Sequence, residues 1–177
     1  MRVAIMAGAA SFLVGCVTPG PVQQTIKVNE PFDKVEASEM ISEGSVTLSG
    51  TAFLRQQGGG VVTCAGNEVR LLPATKYASE RMAGIYGKAF VRDEIKYLNV
   101  YSPRLRAIVQ PNPPEYMQYT RTTTCDAQGN FEFQGVKDGR YFVISRVIWR
   151  VRMDEGGMLA SLVAVQNGKA SRIIMSK

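Results

Sequence analysis

Histidine is absent from this chain of 177 residues. Its absence excludes Ser-His-Asp triads, Cys-His pairs and metal sites built on imidazole. The GxSxG, SxxK and GxGxxG motifs are missing too, and the stretch GIYGK at 84–88 lacks the upstream glycine of a phosphate-binding P-loop. We therefore predict that the protein is not an enzyme and binds no metal or cofactor. The paired carboxylates Asp93-Glu94 and Asp154-Glu155 leave a hydrolase as a weaker alternative.

Cysteine and long apolar runs are scarce as well. There are three cysteines, and the N-terminal apolar run is shorter than the roughly 20 residues that a membrane-spanning helix needs. The composition, 45% apolar and 20% charged, fits one globular domain. The net charge of +6 favours anionic neighbours.

The N-terminus combines Arg2, an apolar run at 3–14 and the string Leu13-Val14-Gly15-Cys16. This arrangement resembles the lipobox of bacterial lipoproteins, with residues 1–15 as the signal peptide. The resemblance implies that Cys16 is lipidated and anchors the protein in the cell envelope. Val17 replaces the Asp that retains lipoproteins in the inner membrane, so we expect the outer membrane, facing the periplasm or the surface. The alternatives are an ordinary signal peptide cut elsewhere and a chance cysteine.

Residues 16–30 are predicted to form the lipidated cysteine and a tether, because residues 18–24 are polar and interrupted by Pro and Gly. A domain is expected over residues 31–177. The anionic partners available to a basic domain outside the cytoplasm are lipid headgroups, lipopolysaccharide and acidic proteins. We therefore expect no nucleic acid partner. General solubility explains the charge equally well.

Lipidation of Cys16 would leave Cys64 and Cys125 in an oxidising compartment, where two thiols usually form a disulfide. Their separation excludes a CxxC redox motif. Two thiolates alone make an incomplete zinc site. Two independent buried thiols are the alternative.

Period-two alternation dominates the rest of the chain and predicts antiparallel strands. Strands are expected at 45–54, in a run that alternates at 68–71 and stops at Pro73, and over 95–109 with a break at Pro103. Further strands are expected at 116–124, around Phe131 and Phe133, and over 140–152. Residues 76–91 predict a short helix. Residues 32–41 are amphipathic and either pack on the domain or contact a partner.

Two stretches, 65–75 and 124–143, resemble carboxypeptidase regulatory-like, transthyretin-like domains. The second approximates a T-D-x-x-G-x-F-x-F-x-x-(V/L)-x-x-G-x-Y pattern, with Cys125 as an extra residue between Thr124 and Asp126. The resemblance implies a mainly β, seven-stranded antiparallel sandwich with an insertion at about 76–118, which holds a short helix and a loop. It implies no catalytic residues, since such domains accompany other domains or mediate contacts.

The long run at 140–152 offers the first candidate contact surface. Tyr141, Val143, Val147, Trp149 and Val151 share one predicted face, and the other carries Phe142, Ile144, Arg146, Ile148, Arg150 and Arg152. If the first face is core, the second presents guanidinium groups that bind anions. An edge strand protected by charge is the alternative.

A second candidate surface comprises Tyr97 and Tyr101, with Tyr116 and Tyr119 beyond a proline-rich loop. Aromatic rings around a rigid loop favour stacking on carbohydrate or docking of a protein. Half-buried strand residues are the alternative.

These observations predict a lipid-anchored accessory or structural subunit that binds an envelope protein, as in secretion, conjugation or surface export. The first alternative is a module that binds glycan or peptidoglycan. A hydrolase of envelope polymers is the weaker alternative.

Overall fold

The computed structural model describes residues 23–166 and 171–177. The predicted signal peptide, Cys16 and the first part of the predicted tether lie outside these residues. The described part contains two α-helices, α1 Lys34–Ile41 and α2 Lys76–Tyr86, and the strands β1 Thr25–Lys27, β2 Val46–Arg55, β3 Val61–Thr63, β4 Glu68–Pro73, β5 Ile95–Asn99, β6 Ile108–Gln110, β7 Arg121–Thr124, β8 Asn130–Val136, β9 Gly139–Arg150, β10 Asp154–Val165 and β11 Ser171–Ser176.

Two sheets pack face to face as a β-sandwich. The larger sheet has the order β5-β10-β9-β4-β7, and the smaller joins β11, β2 and β3, with β8 paired to β2. Alternate residues of each strand point between the sheets, as the period-two pattern predicts. The shared core includes Leu48, Leu71, Tyr141, Val147 and Leu159, each at most 1% exposed.

The prediction of a mainly β, antiparallel sandwich is confirmed. The described residues form eleven strands rather than seven. The expected segments correspond to β2, β4, β7, β8 and β9 and to β5 and β6, into which the strand expected over 95–109 is divided, whereas β1, β3, β10 and β11 were not expected. Two pairings are parallel, β1 with β6 and β2 with β11. Residue alternation identifies a strand but not its partner, so the sequence could not reveal these pairings.

A second apolar core lies on the outer face of the five-stranded sheet. Helix α2 covers Leu72, Phe142 and Leu162 there, and its own Ala78 and Met82 are buried against them. The helix starts where the Thr75 hydroxyl accepts a hydrogen bond from Ala78 N (3.2 Å) and ends at Gly87, whose φ of 87° favours glycine. The insertion at 76–118 is therefore a third layer of the domain, and β5 within it completes the larger sheet.

Several boundaries differ from the sequence prediction. The tether was expected to reach residue 30, but Ile26 and Val28 are buried, and β1 packs beside β6 and α2. The strand expected at 116–124 begins only at Arg121, because Tyr116–Gln118 forms a 3₁₀ turn. The amphipathic segment at 32–41 forms α1 and packs on the sandwich, where Tyr141 Oη donates a hydrogen bond to Met40 O (2.8 Å).

The predicted disulfide between Cys64 and Cys125 is present, with Cα atoms 5.8 Å apart. Cys64 follows β3 at an edge of the smaller sheet, and Cys125 follows β7 at an edge of the larger one. The bond therefore links the two layers at one edge of the sandwich.

Candidate binding groove

A groove of about 660 Å³ lies on the outer face of the five-stranded sheet. Strands β4, β9 and β10 form its floor, helix α2 forms one wall, and the loops around residues 66, 100, 105 and 117 form its rim. A concave site of this size, apolar with a few polar groups, is typical of ligand-binding surfaces. We name it the outer groove.

Strand register builds the floor of the outer groove. Arg146 on β9 pairs with Met158 on β10, and Ile144 on β9 pairs with Arg70 on β4. Ile148, two residues after Arg146 on β9, lies on the same face and pairs with Gly156 on β10. The floor therefore presents apolar side chains on both sides of one guanidinium group.

Helix α2 adds Arg81, Met82 and Ile85 as a wall. Arg81 is held in place, since its Nη1 donates hydrogen bonds to Tyr77 Oη (3.0 Å) and to Asn112 Oδ1 (2.7 Å). Its guanidinium lies 4.7 Å from the centre of the Tyr116 ring. Burial raises the pKa of Tyr116, so this phenol stays neutral.

The disulfide fixes the opposite rim, at Gly66 and Asn67. Gly66 N donates to Cys125 O (3.0 Å), and Cys125 N donates to Asn67 O (3.0 Å). Gly66 has a φ of 72°, a conformation that glycine adopts readily. The cystine thus holds this rim rigidly above the floor.

Three arginines reach the outer groove, but they differ in their partners. Arg70 forms an ion pair with Glu68, and Arg81 has the contacts described above. Within the described residues, the side chain of Arg146 has no hydrogen bond or ion pair, and it is exposed. Arg146 is therefore the guanidinium available to an anionic ligand.

The arginine face predicted for residues 140–152 is present in part. Strand β9 lies between β10 and β4, so the alternative of a charge-protected edge strand is wrong. Phe142 on this face is buried against Phe90, which covers the start of the strand. Arg150 and Arg152 lie beyond the groove at the β9–β10 hairpin, and Val151, predicted as core, is 68% exposed because the strand ends at Arg150.

Arg150 and Arg152 also differ from each other. Arg150 Nε donates to Asp154 Oδ1 (2.8 Å), which raises the pKa of Arg150, with a smaller contribution from nearby Tyr101. Arg152, by contrast, has no partner within residues 23–166 and 171–177.

The four tyrosines of the predicted patch have different surroundings, and Tyr116 is buried. Tyr97 faces the sandwich core, and its Oη donates to Gly156 O (2.8 Å), as the alternative of a half-buried strand residue predicts. Tyr101 is exposed at the end of β5. Tyr116 and Tyr119 instead pack around Phe32.

Two basic residues, Arg81 and Lys96, were not predicted as parts of a site. The sequence pattern places Arg81 only within the helix predicted over residues 76–91. Lys96 sits in a strand, yet its Nζ is buried against the Phe90 ring, 4.2 Å from the ring centre, and donates to Ala89 O (2.6 Å). Burial lowers the pKa of Lys96. Because its Nζ contacts Phe90 and Ala89, and it does not line the groove, this lysine belongs to the helix layer.

The paired carboxylates are occupied by structural contacts. Asp93 and Glu94 form ion pairs with Arg92 and Lys88, Asp154 binds Arg150, and Glu155 accepts a hydrogen bond from Trp149 Nε1 (3.0 Å). Among the described residues, no three Asp, Glu, Cys or His side chains come together as a metal site. In the same residues, no helix is long and apolar enough to cross a membrane.

No protein-family model matches the chain, and no curated protein matches it. Its fold is similar to a crystal structure from Pseudomonas aeruginosa, described as a "putative carbohydrate binding protein". The two share 23% identity with a TM-score of 0.66, over 84% of this chain and 99% of that chain. At this identity the likeness establishes a common β-sandwich fold.

Proposed function

We propose that this chain is a lipid-anchored, non-catalytic binding protein of the bacterial envelope, and that its outer groove holds a carbohydrate that carries negative charge. The observation that carries the proposal is the unpartnered guanidinium of Arg146 on the floor of a ligand-sized groove. The anchor is Cys16, and the outer membrane is the expected site.

The chemistry of the outer groove fits such a ligand. Sugar rings present C–H faces, which the side chains of Ile144, Ile148 and Met158 contact, and hydroxyl groups, which Asn67 and Glu68 bind. Arg146 adds a planar fork that matches a carboxylate or phosphate. Peptidoglycan and lipopolysaccharide carry such anionic groups. The Pseudomonas structure, described as a "putative carbohydrate binding protein", gives this ligand class further support.

The direct test is sedimentation of the full-length protein, in mild detergent, with purified peptidoglycan sacculi. Arg146→Ala is expected to weaken binding about tenfold, since a hydrogen bond to a charged group contributes about 1.5–3 kcal/mol. Arg140→Ala is the matched control, because Arg140 is an exposed arginine of the same strand outside the groove. Absence of wild-type sedimentation at low salt, or equal losses in both variants, would contradict the proposal.

An envelope protein partner is the second candidate. The apolar part of the outer groove, lined by Ile148, Met158 and Leu105, fits an extended peptide segment of a secretion, conjugation or export assembly. Light cross-linking of cells followed by mass spectrometry would then recover a stoichiometric envelope protein. Charge reversal by Arg146→Glu should remove that protein, while Arg140→Glu should retain it.

A further inference from the structure

One end of the molecule concentrates exposed apolar side chains. Ten large apolar residues are at least 37% exposed in the described part of the chain, and five of them belong to residues 101–108 and 151–153. These five are Tyr101, Leu105, Ile108, Val151 and Met153. An apolar surface rimmed by charge marks a site of contact with a protein or a membrane.

Backbone contacts bring the two segments together. Val100 N donates to Gly156 O (2.9 Å), which places the turn after β5 beside the base of the β9–β10 hairpin. Leu105 and Ile148 both line the outer groove, and Tyr101 lies near Arg150. Within the hairpin, Val151 N donates to Met153 O (3.3 Å), so both exposed side chains project from one tight turn.

The same end carries basic charge. Arg106 and Arg152 are exposed and have no hydrogen bond or ion pair from their side chains among residues 23–166 and 171–177. The acidic residues of the hairpin are already engaged, Asp154 with Arg150 and Glu155 with Trp149. We name the set Tyr101, Leu105, Arg106, Ile108, Val151, Arg152 and Met153 the hairpin surface.

The N-terminal segment enters the domain at the hairpin surface. Gln23 Nε2 donates to Arg106 O (3.2 Å), and Ile108 N donates to Gln24 O (2.9 Å). Six residues separate Cys16 from Gln23. Even fully extended, a chain of that length spans at most about 25 Å. An acyl anchor on Cys16 would therefore keep this end of the domain close to the bilayer.

We propose that the hairpin surface rests on anionic lipid headgroups of the membrane that holds the protein. Val151, Met153 and Tyr101 enter the interfacial region, and Arg106 and Arg152 bind lipid phosphates. This inference rests on the proposed anchor at Cys16. It would fix the orientation of the domain relative to the membrane and place the outer groove, which shares Leu105 with this surface, next to the bilayer.

Trp149 provides the test, because it is the only tryptophan of the chain and lies two residues before Val151. The full-length lipidated protein is reconstituted into vesicles that contain brominated lipid, either zwitterionic or anionic. We expect tryptophan quenching at least twofold greater in the anionic vesicles. The variant Val151→Ser with Met153→Ser should lower this quenching at least twofold, and Arg106→Gln with Arg152→Gln should remove the difference between the two lipids.

The matched control is Val35→Ser with Val61→Ser, since both valines are exposed but lie on α1 and β3. Its quenching should equal that of the wild type. Vesicle flotation separates the two proposals. If the protein floats but its tryptophan is not quenched, the proposal for the hairpin surface is overturned and the anchor is retained. The same holds if the quenching is unchanged in Val151→Ser with Met153→Ser. Protein that does not float would overturn the anchor, and the hairpin surface with it.

Discussion

Asp126 shows how much one residue of the second motif stretch determines. Its Oδ1 accepts hydrogen bonds from Gln128 N (2.9 Å) and Asn130 N (2.8 Å), and its Oδ2 accepts one from Asn130 Nδ2 (3.0 Å). The Asn130 side chain, followed by the backbone donors, lowers the pKa of Asp126. The carboxylate therefore stabilises the turn between β7 and β8.

The pH dependence follows from the direction of that shift. Because the pKa of Asp126 is lowered in the folded protein, the carboxylate stabilises the fold above the pKa of 3.8 that it has in the unfolded chain. This stabilisation is lost as the pH falls through the pKa of the folded state. We predict that Asp126→Asn lowers the Tm at pH 7 and that its difference from the wild type shrinks below about pH 4. Thermal unfolding followed by circular dichroism would measure this.

Asp33→Asn is the control for Asp126→Asn. Asp33 is the N-cap of α1, and asparagine caps a helix equally well, so its Tm should stay close to the wild type at pH 7. A Tm for Asp126→Asn equal to the wild type at pH 7 would contradict the role given to this carboxylate.

At the residue scale, sequence reasoning succeeds where local pattern determines the outcome. The turn before Phe131 follows from an Asp and a Gly at fixed spacing, and Cys64 meets Cys125 as expected. Arg81 and Lys96 could not be assigned, because their roles depend on Asn112, Tyr116 and Phe90, which only the folded chain brings near. Distant contacts of this kind leave no periodic signal.

At the scale of elements, alternation predicts β2 and β9 well, since every second residue of β2 is buried in the sandwich, as are alternate residues of β9 from Tyr141 to Val147. The same reasoning fails at Tyr116–Gln118, where two prolines precede a 3₁₀ turn and Tyr116 packs against Phe32. It also missed β1, since a three-residue strand carries too little pattern. The outer groove is formed by α2, β4, β9 and β10 together. Because alternation along the chain does not give the relative positions of these elements, the shape of the groove could not be predicted.

The disulfide is an element-scale feature whose contribution to stability can be estimated from the loop that it closes. It closes a loop of 61 residues, which contributes about 4 kcal/mol in the chain-entropy model. We predict that Cys64→Ala with Cys125→Ala lowers the free energy of unfolding by about that amount. Urea unfolding at equilibrium would measure the change.

The same double variant should weaken ligand binding, because the bond holds the rim of the outer groove at Gly66 and Asn67. Wild-type protein unfolded and refolded under reducing conditions is the control and should match the double variant. An unchanged urea midpoint in the double variant would show that the bond does not stabilise the sandwich.

At the scale of the whole molecule, a short connection joins the proposed anchor at Cys16 to the domain that carries the outer groove. We predict that Cys16→Ser releases the protein from the membrane fraction, because acylation is then impossible. Val17→Ala, beside it, should remain membrane-bound. Fractionation of cells followed by immunoblotting would measure both variants. Retention of Cys16→Ser after an alkaline wash would contradict the anchor.

The outer groove is proposed to bind an anionic envelope glycan through Arg146. Calorimetric titration of the full-length protein with soluble peptidoglycan fragments, using wild type, Arg146→Ala and Arg140→Ala, would test this binding. We predict that the wild type and Arg140→Ala bind alike and that the Kd of Arg146→Ala is about tenfold higher. No binding by the wild type, or an unchanged Kd for Arg146→Ala, would contradict the claim.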